Sequence, residues 1–287
     1  MATTTAARRT TGGSTRLGTN LLLHTILIAA TLVACLPFLW AILNSLKSND
    51  AIFIEPFSVP TSPLWGNYAE AWVRGKFGTY LWNSVAIAIP GVAAKLAFAS
   101  LAGFALARLR FAGSNIAFYL FLLGLAIPTN AILIPLYYTV RDLKLLDTLP
   151  GVILPQIGGA MPFGIFLMRA FFRSLPTELE DAARIDGCND FGVYRHIMLP
   201  LSGGALGALF IFTFMASWND FLIPYLFIHD QDKRTIPLGL LYFQGAYVSE
   251  YRLIFAGIVM SFIPTLALYA VFQRQFVSGI TVGAVKG

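Results

Sequence analysis

Residues 176–200 read PTELEDAARIDGCNDFGVYRHIMLP, a polar interruption in a chain that is otherwise strongly apolar. Thr177-Glu178-Leu179-Glu180 has the pattern of a capping box, in which the Thr hydroxyl bonds the backbone three residues on and Glu180 reaches back. Pro176 suits a helix start, and Leu179, Ala182 and Ala183 then recur at helical spacing on one face. Gly187 is placed to stop this helix in a left-handed conformation. Asn189 can cap a second short helix carrying Phe191, Tyr194 and Met198. Pro200 falls at the start of the next apolar run, where a first-turn proline is tolerated. The local reading is a helix–Gly–helix hairpin with small residues on one face and bulky ones on the other. A mere connector needs only a handful of residues. Two roles are open on these grounds: an amphipathic piece lying on a membrane surface, or a docking element for another protein.

The rest of the sequence supplies the setting. The chain has 287 residues, of which 57% are hydrophobic and 12% charged, with a mean hydropathy of +0.70. A soluble domain has about 45–50% apolar and about 25% charged residues. The composition is that of an integral membrane protein of one or two domains. The formal charge of +6 fits basic loops on the cytoplasmic side rather than nucleic-acid binding. Cys35 and Cys188 lie in different environments and belong to no metal-ligand spacing. Arg8, Arg9 and Arg16 followed by LVAC (32–35) look like a lipoprotein leader, but the apolar run continues from Leu21 to Leu43. That is the length of a membrane helix rather than of a leader's apolar core.

Runs long enough to cross a bilayer occur at about 20–43, 81–107, 116–139, 151–172, 201–223 and 254–273. They predict an all-α polytopic protein with six membrane helices, kinked at Pro37, Pro90, Pro128, Pro135, Pro155, Pro162 and Pro264. The N-terminal tail and the 108–115 turn carry only basic charge, which predicts both termini and the 174–200 loop on the cytoplasmic side. Segments 44–80 and 224–253 then face outward. Their aromatics Trp65, Tyr68, Trp72, Tyr80, Trp82, Tyr242 and Tyr247 fit an interfacial belt, or a surface that contacts sugars or a docking partner.

DAARIDGCNDFGVYRHIMLP (181–200) resembles the EAA loop of ABC-importer permeases: E-A-A, three residues, G, nine residues, I-x-L-P. Asp181, Ala182, Ala183, Gly187, Ile197, Leu199 and Pro200 fall on that spacing without a gap, with Asp181 where Glu is usual. NSLKSNDAIF, NYAEAW, SLAGFALARLRFAG, SWNDF and the ending FQRQFVSGITVGAVKG are similar to the carbohydrate, maltose-permease-like branch. The resemblance implies a transmembrane domain over 20–277, a tail over 1–19 and a second tail over 278–287. It makes the loop a coupling helix, with Glu178, Asp181, Ala182, Ala183, Asp186, Gly187, Ile197, Leu199 and Pro200 facing an ATP-binding subunit. Gly283, Ala284, Val285, Lys286 and Gly287 would form a further contact to that subunit, in an irregular extended segment beyond about Phe276. Also implied are a heterodimer with a second permease, a dimer of ATP-binding subunits, an extracytoplasmic sugar-binding protein and surrounding lipid. The location implied is a bacterial or archaeal plasma (inner) membrane.

The phosphate-cradling pattern G-x-x-x-x-G-K-[ST] does not occur, and RGKFGT (74–79) lacks both its earlier glycine and the hydroxyl after Lys. The expectation is therefore no cofactor in this chain, with ATP and magnesium in the partner, and no enzymatic role here. His24, His196 and His229 are scattered, which predicts neither a metal site nor a nucleophilic relay. Lys95 falls near the middle of the second span, where a charge is costly. Trp218, Asn219 and Asp220 sit at the outer end of the fifth span. These four are the candidates for a translocation path, with Lys95 either meeting substrate, or snorkelling or pairing with Asp220. An importer of amino acids or peptides is the nearest alternative. An ion-driven secondary transporter would need buried midplane carboxylates, and Asp220 is the one acid inside the assigned spans. A scaffold or signalling role would leave the prolines and glycines within the spans unexplained.

Overall fold

The computed structural model describes residues 13–244 and 249–284; Arg8, Arg9, Tyr247, Val285, Lys286 and Gly287 lie outside them. The chain opens with α1 (Gly13–Ser45), whose run of leucine and isoleucine from Leu21 to Leu39 stays largely exposed and which packs against the last helix through Phe38–Phe262 and Trp40–Phe255 ring contacts. Short helices α2 (Asn49–Ile54) and α3 (Gly66–Arg74) follow in the connection to α4 (Phe77–Arg108).

The stretch expected as one span over 116–139 is instead two helices, α5 (Ser114–Ala126) and α6 (Thr129–Asp142), meeting at 103°. Pro128 has no N–H to continue the ladder and forces Ile127 out of the helical region, so both residues are extended. Proline does not break the other spans. Pro155 and Pro162 lie inside the continuous α7 (Leu149–Ser174), as Pro90 does inside α4.

The polar loop forms α8 (Glu178–Ile185) and α9 (Asp190–Val193), a π-helical turn over Tyr194–Met198 and α10 (Leu199–Leu201). A 76° bend leads into α11 (Gly203–Trp218). Pro200 therefore ends the hairpin rather than starting the next span. After α12 (Leu222–Phe227) and α13 (Ile236–Gly239), α14 (Tyr251–Ala284) closes the bundle. That helix continues through Gly279 and Gly283, where an extended segment is expected from the sequence; isolated glycines weaken a helix without ending it. Among the described residues four helices are each long and apolar enough to cross a membrane, and the number reaches six when each bent pair, 114–142 and 190–218, is counted as one span.

Helix α4 is the central post, contributing to four clusters of buried side chains. Its closest partner is α7. A Cβ on Gly103 would lie 2.6 Å from Met168 Cβ, and one on Gly164 2.8 Å from Ala99 Cβ. Small residues thus let the two backbones approach, the usual source of tight packing between membrane helices.

At the end opposite the hairpin, the connections fold into a cap. Asn67 donates to the carbonyls of Ser45 (2.8 Å) and Lys47 (2.9 Å), and Arg252 grips Glu70 through two nitrogens at 2.6 and 3.0 Å. Tyr80, expected among exposed aromatics, is fully buried against Gly239, where any side chain would collide with its ring. Tyr68 is also drawn inward by a 2.6 Å hydrogen bond with Ser45 Oγ. Trp65 and Trp82 remain about two-thirds exposed, at 67% and 70%.

Hydrogen bonds from Arg252, then from Arg74, hold the Glu70 carboxyl below its ordinary value of 4.5. Because its folded value is depressed, the stabilisation is present above the unfolded value and disappears as pH falls through the folded one. Glu70→Gln should therefore lower the thermal unfolding temperature at pH 7. The gap to wild type should narrow steadily between pH 5 and pH 3 in a detergent melting series; a gap constant with pH would contradict the pairing.

Candidate functional site

The hairpin is held by local chemistry at its turn. Gly187 is left-handed at φ +87°, Cys188 N–H donates to Ala183 O (2.9 Å) and Gly187 N–H to Arg184 O (3.0 Å), the paired bonds of a Schellman stop. Asn189 Oδ1 accepts from Gly192 N–H at 2.8 Å and caps α9. Arg184 bridges the turn to Asp190 at 2.6 Å.

The expected capping box does not form. Thr177 has helical backbone angles and its side chain caps nothing. Glu180 turns instead to Arg108 at the end of α4, Nε to Oε1 2.9 Å, in an ion pair whose N–H direction is off-line for a hydrogen bond. Both side chains are nearly shielded from solvent, at 7% and 11% exposure. Arg108 Nη2 also donates to the carbonyls of Phe172 and Leu175 at the C-terminal end of α7, the former of which also accepts the Leu175 N–H at 3.3 Å. One guanidinium thereby joins α4, α7 and α8. Neither Arg108 nor the role of Glu180 was legible locally, because the two residues are 72 positions apart.

The faces of the hairpin also differ from the expected ones. Ala183, Tyr194 and Met198 are buried with Phe104, Phe172 and Leu209, and Tyr194 Oη donates to Ser100 Oγ of α4 at 3.0 Å. Ile197 and Leu199 are half-buried against the same cluster. Leu179 and Ala182 are exposed rather than sharing a buried face with Ala183, because Glu180 and Ala183 take the inner side. Glu178, Asp181, Asp186, Gly187 and Pro200 are exposed too, and Ile185 and Phe191 project at 85% and 59% exposure. Two large apolar side chains thus stand out from a polar hairpin.

A second feature lies within the span region. A cavity of about 740 Å³ runs between α4, α6, α7 and α11, lined by Lys95, Asn130, Gln156, Phe163, Thr213 and Asp220 among others. Lys95 is 2% exposed. Asp220 accepts from Gln156 Nε2 at 2.8 Å and from Ile223 N–H at 3.3 Å, while Ser217 Oγ donates to Gln156 Oε1 at 2.6 Å. Lys95 and Asp220 attract each other through space but make no direct ion pair among the described residues. Trp218 does not line the cavity: it is buried and stacked on Phe214 at 5.5 Å. Asn219 bonds back to Met215 O (3.0 Å) outside the cavity lining. Gln156, the one amide in the 151–172 run, lines the cavity with Asn130, Phe163 and Thr213, none of them marked in the sequence by charge or motif. Gly283 and Ala284 fall in the last turn of α14. No cluster of three or more His, Cys, Asp or Glu able to hold a metal occurs among the described residues.

Residues 95–282 match the family model of the binding-protein-dependent transport system inner membrane component. The chain belongs to this family. It is a multi-pass membrane permease, and the family is one of transport proteins rather than enzymes. Its relatives include the diacetylchitobiose uptake system permease NgcG of Streptomyces coelicolor, 34% identical over 92% of this chain and 88% of that one. The arabinooligosaccharides transport system permease AraQ of Halalkalibacterium halodurans is 38% identical, over 89% and 92% of the two chains. The lactose transport system permease LacG of Rhizobium radiobacter is 32% identical, over 92% and 95%. Among solved structures, a chain of a bacterial ABC transporter that imports the acidic polysaccharide alginate superposes with a TM-score of 0.80 at 25% identity, over 94% of this permease and all of that chain.

Removing Arg108 strands a buried carboxylate and takes a donor from two carbonyls at the end of α7, so Arg108→Ala should destabilise the permease by about 3–5 kcal/mol. The Arg108→Ala/Glu180→Ala double variant should recover part of that loss in thermal unfolding. Losses that simply add would contradict the coupling.

Proposed function

We propose that the permease is one of two membrane subunits of an ATP-driven carbohydrate importer. It would line the translocation path with its partner and receive the ATPase stroke through residues 178–201. The observation that carries the coupling role is the hairpin's two-sidedness. Its inner side is locked to α4 and α7 by Arg108, Ala183 and Tyr194, while Ile185 and Phe191 stand exposed on its outer side. An element that merely lay against the bundle would bury such side chains. A rigid element with an apolar outer face suits a partner's groove, and its inner bonds carry a push into two spans. The sugar permeases among its relatives support carbohydrate as the substrate class.

The remaining parts follow from the same reading. Arg108, Arg110, Arg173, Arg184 and Arg195 crowd the hairpin end, which favours that end, and both termini, on the cytoplasmic side. The cap end would then receive the sugar-binding protein, with Trp65 and Trp82 exposed there. The exposed apolar length of α1 suits lipid and the second permease. ATP and magnesium belong to the partner ATPase pair, where hydrolysis takes place. Among the described residues Glu180, at the hairpin, is the buried acid and the half-buried Asp220 is the acid lining the cavity, one carboxylate where an ion-driven carrier needs several at its midplane.

Ala183 is enclosed in the permease's own core, so enlarging it would test folding; Ala182 and Ile185 are the residues that test docking. Ala182→Arg and Ile185→Asp should each reduce recovery of the ATPase with tagged permease by about tenfold or more. The melting temperature of the permease should stay unchanged in both. Full ATPase recovery with both variants would overturn the coupling role.

A further inference from the structure

The cavity holds one cation with nothing bonded to it. Lys95 sits in the middle of α4, three residues after buried Val92 and four before buried Ala99, and opens on the cavity. Among the described residues its ammonium donates no hydrogen bond and joins no ion pair. A charge at this depth costs a few kcal/mol, so it is a poor choice for filling space. Snorkelling does not relieve it, because the side chain is 98% shielded within the bundle rather than reaching an interface.

The one carboxylate in the same wall, Asp220, attracts the ammonium through space but does not reach it as a direct ion pair, and both its oxygens are held by neutral donors. Asp220 gives one oxygen to the Gln156 amide and the other to the first turn of α12. The other polar groups of the wall are neutral: Gln156, itself bonded to Ser217, together with Asn130 and Thr213. Phe163 and Phe212, edge to face at 5.6 Å, supply an apolar side against which a sugar's C–H face can lie. About 740 Å³ is the size of a small-molecule site. Such a wall can bond hydroxyls at Asn130, Thr213 and Gln156, and it offers a compact ammonium with three donors for an oxyanion.

We propose that Lys95 is the counter-ion for an oxyanion on the transported sugar, a carboxylate, sulfate or phosphate ester, so that this importer carries anionic rather than purely neutral saccharides. The inference rests on the carbohydrate-importer reading and narrows its substrate class. Lys95 would act in the path itself, after delivery by the binding protein, by replacing the water that the anion loses on entering the span region.

The test uses the complete importer, both permeases with the ATPase pair and binding protein, in proteoliposomes. Uptake is measured for digalacturonate, a sulfated disaccharide and glucose 6-phosphate, each against a neutral sugar of the same size; the three arms also separate the oxyanions. At least one anionic probe should be taken up by wild type. Lys95→Met should cut its uptake relative to the neutral sugar about tenfold, the worth of one charge-assisted contact, while Lys95→Arg retains most of it. Should Lys95→Met fail to assemble, Lys95→Gln gives the same ratio with a polar side chain of similar length. Uptake of neutral sugars alone, or an equal loss on both kinds of sugar, overturns the inference and leaves the importer reading standing. ATP hydrolysis that no sugar-loaded binding protein stimulates, with neither kind of sugar moved, fails the importer reading itself.

Discussion

Arg108 is the residue through which the parts of this permease meet. It lies at the end of α4, receives Glu180 from the hairpin and satisfies the carbonyls with which α7 terminates. A guanidinium is suited to the task because its planar donors point in several directions at once and it cannot lose its charge. Shielded from solvent, the pair has a discrete made state rather than a gradual one. A displacement of the hairpin must either carry both helices with it or break a buried charge pair, and the latter is strongly unfavourable. That is the behaviour of a lever rather than of a tether.

What the lever moves is a closely packed pair. Gly103 and Gly164 let α4 and α7 approach until no side chain fits between them at those points. Packing this tight shifts between arrangements as a body and does not deform continuously. The cavity lies beside the pair, with Lys95 on α4 and Gln156 on α7. Movement at the hairpin and exposure at the cavity are therefore properties of the same two helices. The near-right-angle break at Pro128 turns α6 away from the direction of α5, and α6 supplies a further wall of the cavity through Asn130 and Leu136.

The features visible in the sequence were those set by local chemistry or by hydrophobic length. The six apolar runs, the stop at Gly187 and the cap at Asn189 all depend on residues within a few positions of one another. The features that differed were decided by distant partners. Glu180 satisfies the capping-box pattern, yet a buried arginine 72 residues earlier competes for it and wins. Tyr80 looks like a belt aromatic until Gly239 provides a flat surface to cover it. Trp218 looks exposed beside two polar neighbours, but it stacks into the core on Phe214. Pro128 differs from the other span prolines in outcome rather than in composition: only there do the proline and the residue before it leave the helix, which resumes at Thr129. Lys95 stood out as unusual from the start; what surrounds it needed the fold.

The measurement that bears most directly on the coupling role is hydrogen exchange of the reconstituted importer, with and without the ATPase pair. The amides of 178–193 should gain protection when the ATPase binds, and that protection should change again between the nucleotide-free and ATP-bound forms, while α1 is unaffected. Equal exchange across 178–193 in all three conditions, in a complex that still assembles, would contradict the account.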